Sequence, residues 1–327
     1  MNPPERLSAF MGRAAARYYA TRDPFGQKGD FITAPEISQT FGEVIGLWAA
    51  VVWQMLGMPS EILLVELGPG RGTLMADLLR AAATLPPFAA AIRVHLVETS
   101  PVLRARQKEK LGEVKWLDRV EDIPDGPAII IANEFFDALP IDHYVLRADG
   151  WHDRLVHDGR FIDGPLAAAE DWPAAAEGEI FEINHPARAI AEHLGQRFGR
   201  QPGAALLIDY GHAHSAAGDT LQALRKHRAV DPLENPGEAD ITAHVDFAAL
   251  ARAAKPAIAS EIVTQGAFLR RLGIELRAAK LAAASPERAD AVTGAVQRLI
   301  NPQGMGTLFK VLALSSAGLS DLPGFVA

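Results

Sequence analysis

Seven apolar segments of strand length alternate with helical segments along this chain, and this alternation limits the possible folds more than any other feature. Five of the segments lie at 62–67, 92–100, 114–117, 128–133 and 203–211. Two more follow near the C-terminus, in the runs AIASEIVTQGAFL and GTLFKVLALSS. Apolar strands that alternate with helices form a parallel sheet that is covered on both faces. We therefore predict an α/β, Rossmann-like fold with a mostly parallel seven-stranded sheet.

The same rhythm divides the chain into segments. Apolar residues at three- and four-residue steps predict helices at 5–20 and 34–56. Asp-Gly pairs at 149–150 and 158–159 predict antiparallel hairpins. We expect an N-terminal helical cap with a lid loop (1–60), a Rossmann-like core (61–140), an inserted hairpin-rich α+β subdomain (141–203), and the remainder of the core (204–327) with a loop-rich insertion (212–254).

Composition and charge exclude several kinds of protein. A net charge of −8 disfavours a nucleic-acid partner, which depends on phosphate neutralisation. The absence of cysteine excludes disulfides, thiolate metal sites and a cysteine nucleophile. The most apolar run, 44–58, is too short to cross a bilayer, so we predict a buried helix and no membrane insertion. No secretory signal is apparent, and we expect a cytoplasmic protein in a bacterium or a mitochondrial matrix protein in a eukaryote.

The sequence VELGPGRGT joins the first strand to a helix and predicts a cofactor site. Its three glycines, Gly68, Gly70 and Gly72, allow a sharp turn and a close approach of ligand to backbone. Thr73 begins the helix that follows. Glu66 precedes the first glycine by two residues, where a carboxylate would repel a pyrophosphate and favour the ammonium of an amino-acid group.

Two further acids indicate which cofactor this loop binds. Glu98 ends the second strand, where it can accept hydrogen bonds from both ribose hydroxyls, and Asp118 follows the third strand, where it can meet an adenine amino group. A ligand with a ribose, a cationic amino-acid tail and no phosphate is S-adenosyl-L-methionine. We therefore predict a methyltransferase. An NAD-type oxidoreductase and a fold that kept the loop without the activity remain alternatives, as do capping or surface roles for both acids.

A second polar cluster follows the strand at 128–133. Asn133, Glu134 and Asp137 lie at its carboxyl end, which is where ligands bind in open parallel sheets. Two carboxylates beside a methyl donor suit a guanidinium, whose planar fork of donors pairs with carboxylates. We predict these three residues to be catalytic, with Glu134 first and Asp137 second; the alternative is that Asn133 and Asp137 cap the next turn.

No metal site is predicted. His212 and His214 are two residues apart in GHAH, but no acid-rich ligand set accompanies them. The remaining histidines read as ordinary surface or half-buried residues.

Several blocks of the chain together resemble one family, the MidA-type arginine methyltransferases, which are relatives of a mitochondrial complex I assembly factor. The blocks occur in the order GDFITAPEISQTFGEVIGLW, VELGPGRGTLMADLLR, NEFFDALPI, IDYG, DTLQALRKH, PGEADITAHVDF, TQGAFLRRLGI and MGTLFKV. The resemblance covers essentially the whole chain. It implies a class I, S-adenosyl-L-methionine-dependent fold in which 66–73 and Glu98 bind the donor, while Asn133, Glu134 and Asp137 face the acceptor.

The resemblance also implies a partner. In the mitochondrial relative the substrate is an arginine of a core NADH–quinone oxidoreductase subunit, which becomes symmetrically dimethylated. We accordingly expect a protein substrate with a target arginine and a possible homodimer. A non-catalytic chaperone that binds the donor and holds a respiratory subunit is the alternative.

The polar loop GDFITAPEIS, at 29–38, precedes the cofactor loop by about thirty residues. Thr33 and Glu36 have the spacing of a capping box, in which each side chain bonds the backbone N–H of the other. Asp30 is not explained by such a cap. We hypothesise that this loop folds over the cofactor and places Asp30 and Thr33 near its amino-acid end.

Overall fold

The strands that the sequence marks as apolar form the centre of the molecule. The computed structural model describes residues 3–21, 33–168, 170–319 and 321–326. Asp30, a predicted cofactor-binding residue, lies outside them. The strands are β1 (Glu5–Arg6), β2 (Ile62–Leu67), β3 (Ile92–Val97), β4 (Lys115–Leu117), β5 (Ala128–Asn133), β6 (Asp142–Arg147), β7 (Gly150–His157), β8 (Arg160–Leu166), β9 (Ile180–Ile183), β10 (Gly203–His212), β11 (Gln222–Arg225), β12 (Arg228–Val230), β13 (Asp240–Thr242), β14 (Val245–Asp246), β15 (Ile258–Ala259), β16 (Val263–Thr264) and β17 (Phe309–Ser315).

Helices connect these strands and cover both faces of the central sheet. They are α1 (Leu7–Thr21), α2 (Ala34–Ile37), α3 (Gln39–Met55), α4 (Thr73–Ala82), α5 (Pro86–Ala91), α6 (Pro101–Leu111), α7 (His185–Phe198), α8 (Phe247–Ala253), α9 (Gln265–Arg271), α10 (Ile274–Ala284), α11 (Ala289–Ile300) and α12 (Met305–Leu308). Two 3₁₀ turns lie at Val120–Asp122 and Pro286–Arg288.

The central sheet has the order β15-β17-β10-β5-β2-β3-β4. Strands β4, β3, β2, β5 and β10 are parallel, and β17 runs antiparallel to β10. The path contains seven strands as predicted, but two further two-residue strands, β14 and β16, pair with β10 and β17 and bring the sheet to nine. The chain moves outward from β2 through β3 and β4, then returns to β5 on the other side, so β2 and β5 flank the switch in strand order. Ligands bind at such switch points.

Alternation along the buried strands produces two cores. Ile129 and Ile131 of β5 face one layer, which contains α3, α4 and α9 to α11. Ile130 faces the other layer, which contains α7 and α8. Helix α7 shares this second core with β5 and β10. The antiparallel strands of the predicted insert (141–203), β6 to β9, therefore span 142–183, and we call this part the antiparallel insert. The apolar run 44–58 lies largely within α3, which is buried through residues such as Trp48. None of the helices described in the structure is both long and apolar enough to cross a membrane.

The predicted helix 34–56 is interrupted, which the sequence reading did not anticipate. Ser38 is extended, with φ −154° and ψ 128°, and separates α2 from α3. The side chain of Ser38 accepts a hydrogen bond from the N–H of Thr40 and caps α3. The predicted capping box is wrong, because the Thr33 side chain forms no cap hydrogen bond and the Glu36 carboxylate accepts a hydrogen bond from the Thr73 hydroxyl instead.

Two antiparallel sheets lie beside the central one. The first contains β6 to β9 with β1 at its edge, so Glu5–Arg6 is a strand rather than the start of the predicted N-terminal helix. The Asp-Gly pairs at 149–150 and 158–159 form its turns, with Asp158 and Gly159 at φ 46° and 72°. The second is a three-stranded sheet, β12-β11-β13, in the region predicted to be loop-rich.

Helix α7 provides a test of how close packing competes with helix propensity. A Cβ at Gly195 would lie 2.0 Å from the Ala254 carbonyl oxygen, whereas a Cβ at Gly294 of α11 would meet nothing within 4 Å. Alanine is favoured over glycine in a helix by about 1 kcal/mol. We therefore expect Gly294→Ala to raise the free energy of unfolding slightly. Gly195→Ala should lower it by roughly 1–3 kcal/mol, because overpacking outweighs propensity. Equal stabilisation of both variants in urea denaturation would contradict the packing described.

Candidate functional site

The turn that follows β5 is held by one buried carboxylate. Asp209 of β10 is fully buried, and its Oδ2 accepts hydrogen bonds from the backbone N–H groups of Phe135, Phe136 and Asp137, at 3.1, 3.0 and 3.2 Å. Glu134 begins this turn with φ 51°, a left-handed conformation that is uncommon for a residue with a side chain. Strained backbone of this kind concentrates at functional sites.

The Glu134 side chain links the end of β5 to the start of α2. Its Oε1 accepts hydrogen bonds from the backbone N–H of Ala34, at 2.9 Å, and from Asn133 Nδ2, at 3.2 Å. Burial raises the pKa of Glu134 to about 8, and the nearby charges of Asp137 and Asp240 act in the same direction. The first residue of α2 is therefore hydrogen-bonded directly to the residue that follows β5.

Three cavities meet at Glu134. We call them the α1 crevice, of about 500 Å³, the glycine-loop niche, of about 30 Å³, and the insert pocket, of about 290 Å³. The insert pocket adjoins the three-stranded sheet of the 212–254 insertion and is lined by Glu134, Asp137, Ala138, Tyr210, Gln222, Leu224, Asp240, Thr242, His244, Arg298, Met305, Leu308 and Phe309. The α1 crevice is lined mainly by Gly12, Ala15, Ala16, Gly68, Gly70, Glu98, Thr99, Ser100, Leu103, Phe135 and Leu139. The glycine-loop niche is lined mainly by Thr33, Glu36, Glu66, Gly68, Gly70, Arg71, Thr73, Asn133 and Glu134.

The predicted glycine loop lies between the α1 crevice and the glycine-loop niche. Gly68, Gly70 and Gly72 have φ of 63°, 52° and 74°, which side chains rarely adopt. A Cβ at Gly68 would also lie 2.7 Å from Phe135, so this glycine is required by packing as well as by conformation. Gln107 of α6 fixes the loop by donating a hydrogen bond to the Gly70 carbonyl, at 2.7 Å.

Glu66 and Asn133 bring unsatisfied acceptors to the glycine-loop niche. Glu66 is 3% exposed, and within the described residues its Oε2 has no hydrogen-bond partner. Burial raises the pKa of Glu66 to about 8. Asn133 Oδ1 is likewise buried without a partner in that part of the chain. A buried acceptor without a donor is unfavourable, so the niche fits a cationic group that can donate hydrogen bonds.

Glu98 lines the α1 crevice directly after β3. Its Oε1 accepts from the Ser100 N–H, at 2.8 Å, and its Oε2 accepts from Gln107 Nε2, at 3.3 Å. Burial raises the pKa of Glu98. The backbone N–H of Thr99 also donates to Glu98. A carboxylate offers about four acceptor positions, so Glu98 retains capacity for a ribose hydroxyl.

Two other predicted residues lie in different surroundings. The Asp118 side chain is 74% exposed, pairs with Arg104 at 2.7 Å, and does not line the α1 crevice. Its contact with adenine stays a prediction. Thr33 is buried and lines the glycine-loop niche, while Glu36 lies 4.0 Å from Arg71.

The insert pocket adjoins Glu134 on the side of the three-stranded sheet. Leu224 lies opposite Asp240 in the β11–β13 ladder, and Gln222 lies opposite Thr242; all four line the pocket. Ala223, between them, faces away into a core with α1. The period of two along these strands therefore brings one face to the pocket and the other to the protein interior.

Acidic and aromatic groups converge on the insert pocket. Burial raises the pKa of Asp137 to about 6, although a hydrogen bond from Tyr210 opposes the shift. Tyr210 in turn contacts Thr242 and packs edge-on against His244, with ring centroids 5.5 Å apart. Three carboxylates, those of Glu134, Asp137 and Asp240, line this cavity.

One group of potential metal ligands, His143, Glu182 and Asp219, lies outside these cavities. Their side chains already have hydrogen-bond partners within the protein. Arg154 donates to Asp219 at 3.1 Å, and Glu182 accepts from the Thr220 side chain and from two backbone N–H groups. We interpret this cluster as a link between the antiparallel insert and the segment that leads to β11.

Sequence reasoning missed several residues of the site. Asp209 had a signal, since an aspartate within an apolar strand needs a buried partner. Small residues at the spacing of Gly12, Ala15 and Ala16 mark a close helix face, but their neighbour could not be inferred. Asp240 was hidden in a region predicted to be loop.

The fold and these cavities define an S-adenosyl-L-methionine-dependent methyltransferase of the α/β type. A family model for S-adenosyl-L-methionine-dependent methyltransferases matches residues 44–264. A Burkholderia thailandensis protein whose crystal structure contains S-adenosyl-homocysteine is similar with a TM-score of 0.87 and 30% identity, over 99% of this chain and 90% of that one.

Two curated relatives place the chain more closely. The Mus musculus protein arginine methyltransferase NDUFAF7, mitochondrial, is 37% identical over 95% of this chain and 80% of its own length. The Homo sapiens protein of the same name is 35% identical, with coverages of 95% and 79%. The chain belongs to this methyltransferase family, and its cofactor is S-adenosyl-L-methionine. The NAD-type alternative is thereby excluded.

Glu66 provides a direct test of donor binding. We expect Glu66→Gln to weaken S-adenosyl-L-methionine binding about 10- to 100-fold, because hydrogen bonds to charged groups contribute about 1.5–3 kcal/mol. Glu61→Gln, one residue before β2 and in an exposed pair with Arg93, is the matched control. Calorimetry at neutral pH measures both; equal affinities for the two variants would remove Glu66 from the donor site.

The raised pKa of Glu134 predicts a pH-dependent stability. The folded state keeps the proton between the ordinary value of 4.5 and about 8, whereas the unfolded chain releases it. The free energy of unfolding therefore falls as pH rises through this range. In Glu134→Gln, whose amide oxygen can still accept from Ala34, we expect a gain over the wild type that grows from pH 5 to pH 9, to roughly 1–3 kcal/mol. A difference independent of pH would contradict the burial described.

Proposed function

We propose that this chain methylates a guanidinium nitrogen of an arginine in a protein substrate. The observation that carries the proposal is the position of Glu134, which lines the α1 crevice, the glycine-loop niche and the insert pocket. The curated relatives from mouse and human are named protein arginine methyltransferases, which supports this acceptor.

In this proposal the α1 crevice and the glycine-loop niche together hold the cofactor, S-adenosyl-L-methionine. Glu66 would bind the amino group, Gly68 and Gly70 would allow close backbone approach, and Glu98 would bind the ribose. When bound, S-adenosyl-L-methionine supplies an electrophilic methyl group on its sulfonium. The N-terminal helix α1 lines the α1 crevice with the small residues Gly12, Ala15 and Ala16, which leave room for the cofactor.

The insert pocket would take the acceptor. A guanidinium is always charged at neutral pH and donates in a planar fork. Glu134 and Asp137 offer it carboxylates, and Asp240 adds a third negative group from β13. Pairing with a cation favours the ionised form of Glu134, which reverses the effect of burial on its pKa. The paired carboxylate then holds the charge of the guanidinium on the nitrogens away from the methyl group.

Finer points of the function follow from the resemblance to the MidA-type family. We infer symmetric dimethylation as the product and a core subunit of an NADH–quinone oxidoreductase as the client, in support of complex I assembly. The curated relatives are named as mitochondrial; for this chain the matrix, or a bacterial cytoplasm, stays a prediction, as does a homodimer.

Replacement of Glu134 tests the catalytic assignment. We expect Glu134→Gln to bind S-adenosyl-L-methionine within about threefold of the wild type, and to lose at least about 100-fold in methyl transfer, a loss typical when one electrostatic group is removed from a reaction centre. Glu61→Gln, remote from all three cavities, should retain full activity. Mass spectrometry of a candidate subunit incubated with donor measures the transfer and identifies the modified residue.

The same experiment separates the enzyme from the chaperone alternative. A client that is bound but unchanged in mass after incubation with wild-type protein and donor would refute catalysis and favour client holding. Full turnover by Glu134→Gln would instead show that Glu134 is not catalytic, while the protein would still be a methyltransferase.

A further inference from the structure

The insert pocket carries one strong cation beside its carboxylates. Among the described residues that line it, Arg298 is the single lysine or arginine. It is exposed and lies in the last turn of α11, whereas Asp137 and Asp240 are buried. The pocket is therefore negative in its buried part and positive at one exposed position.

The backbone of Arg298 is held in place by close packing against the turn that follows α11. A Cβ at Gly304 would lie 2.5 Å from the Arg298 carbonyl oxygen, and a Cβ at Gly306 would lie 2.2 Å from the Ile300 carbonyl oxygen. The turn that leads to α12 thus contacts the end of α11 directly. Leu308, which follows on α12, lines the pocket and is 47% exposed.

The guanidinium of Arg298 is available for a ligand. It forms no salt bridge with a carboxylate in the part of the chain that the structure describes, although three acids line the same cavity. A cation in the last turn of a helix is also favourable for the helix dipole, so this placement alone would suit a purely structural role. The two roles differ in whether substrate selection depends on the sign of this charge.

We propose that Arg298 binds a side-chain carboxylate of the substrate protein that lies within a few residues of the target arginine. The inference rests on the proposed function and adds a substrate class to it, namely arginine in acidic surroundings. A segment that places its guanidinium among Glu134, Asp137 and Asp240 and a carboxylate at Arg298 complements both ends of the pocket. A basic neighbour would meet Arg298 with like charge, which opposes binding.

The expected preference is modest, because exposed ion pairs contribute little. The test uses pairs of synthetic peptides with one central arginine. The two peptides of a pair differ at a single position within three residues of that arginine, where one has aspartate and the other asparagine. At one or more of these positions, we expect kcat/KM to be about two- to tenfold higher for the aspartate peptide. The effect should lie in KM, with kcat nearly unchanged, and should shrink at high salt.

Charge reversal separates recognition from structure. We expect Arg298→Gln to lose the preference and Arg298→Glu to prefer a lysine-containing peptide over the acidic one. Arg288→Gln, at the other end of α11 and outside the pocket, should keep the wild-type preference. Thermal melting of all variants checks that each is folded, and loss of the preference at unchanged melting temperature supports recognition.

Peptide binding in the presence of S-adenosyl-homocysteine, followed by fluorescence anisotropy, distinguishes failure of the inference from failure of the proposed function. Equal affinity and equal kcat/KM for acidic and amide peptides at every position would overturn the role of Arg298 and leave arginine methylation standing. Preferential binding of acidic peptides without any methylation would refute the proposed function and keep the recognition. Neither binding nor methylation of any peptide would overturn both.

Discussion

The contacts of the Asp209 carboxylate are the constraint on which the site depends. One oxygen holds three successive backbone N–H groups of the turn after β5, and the other accepts from the N–H of Tyr210, at 2.9 Å. Buried N–H groups without a partner are unfavourable, so the turn has little freedom to adopt another path. This turn contains Glu134 in a left-handed conformation and places Asp137 next to Tyr210. The placement of Glu134 and Asp137 beside the cavities follows from that one side chain.

The buried acids of the site lower the stability of the folded protein when no ligand is bound. Glu66, Glu134 and Asp137 are acids whose pKa values burial raises. Each is unfavourable in the absence of a positive partner, and the proposed ligands, an amino-acid ammonium and a guanidinium, are both cations. Helix α2 is part of the same arrangement, since the N–H of Ala34 donates to Glu134 and the Glu36 carboxylate accepts from the Thr73 hydroxyl. The described part of the polar loop, 33–38, therefore contacts both the turn after β5 and the start of α4.

Local patterns predicted the elements that depend on local chemistry. The strands at 62–67 and 128–133 have the predicted bounds, because buried strands are apolar throughout, and the glycine loop has the positive φ values that its composition indicates. Asp209 could not be assigned, because its partners lie more than seventy residues away along the chain. The break at Ser38 depends on contacts of Ala34 and Glu36 with distant residues, which override the helical periodicity. The short strands β11 to β13 carry too few residues to show their alternation, so the wall of the insert pocket was hidden.

In the proposed site, Glu134 lies between a methyl donor and a cationic acceptor. The most direct measurement is the calorimetric affinity of a bisubstrate compound, in which an adenosine-based donor analogue is joined to a guanidine, compared with that of S-adenosyl-homocysteine. We expect the wild type to bind the bisubstrate compound at least about tenfold more tightly than S-adenosyl-homocysteine, and Glu134→Gln to lose this gain while it binds S-adenosyl-homocysteine normally. If the wild type binds the bisubstrate compound no more tightly than S-adenosyl-homocysteine, this placement of Glu134 is contradicted.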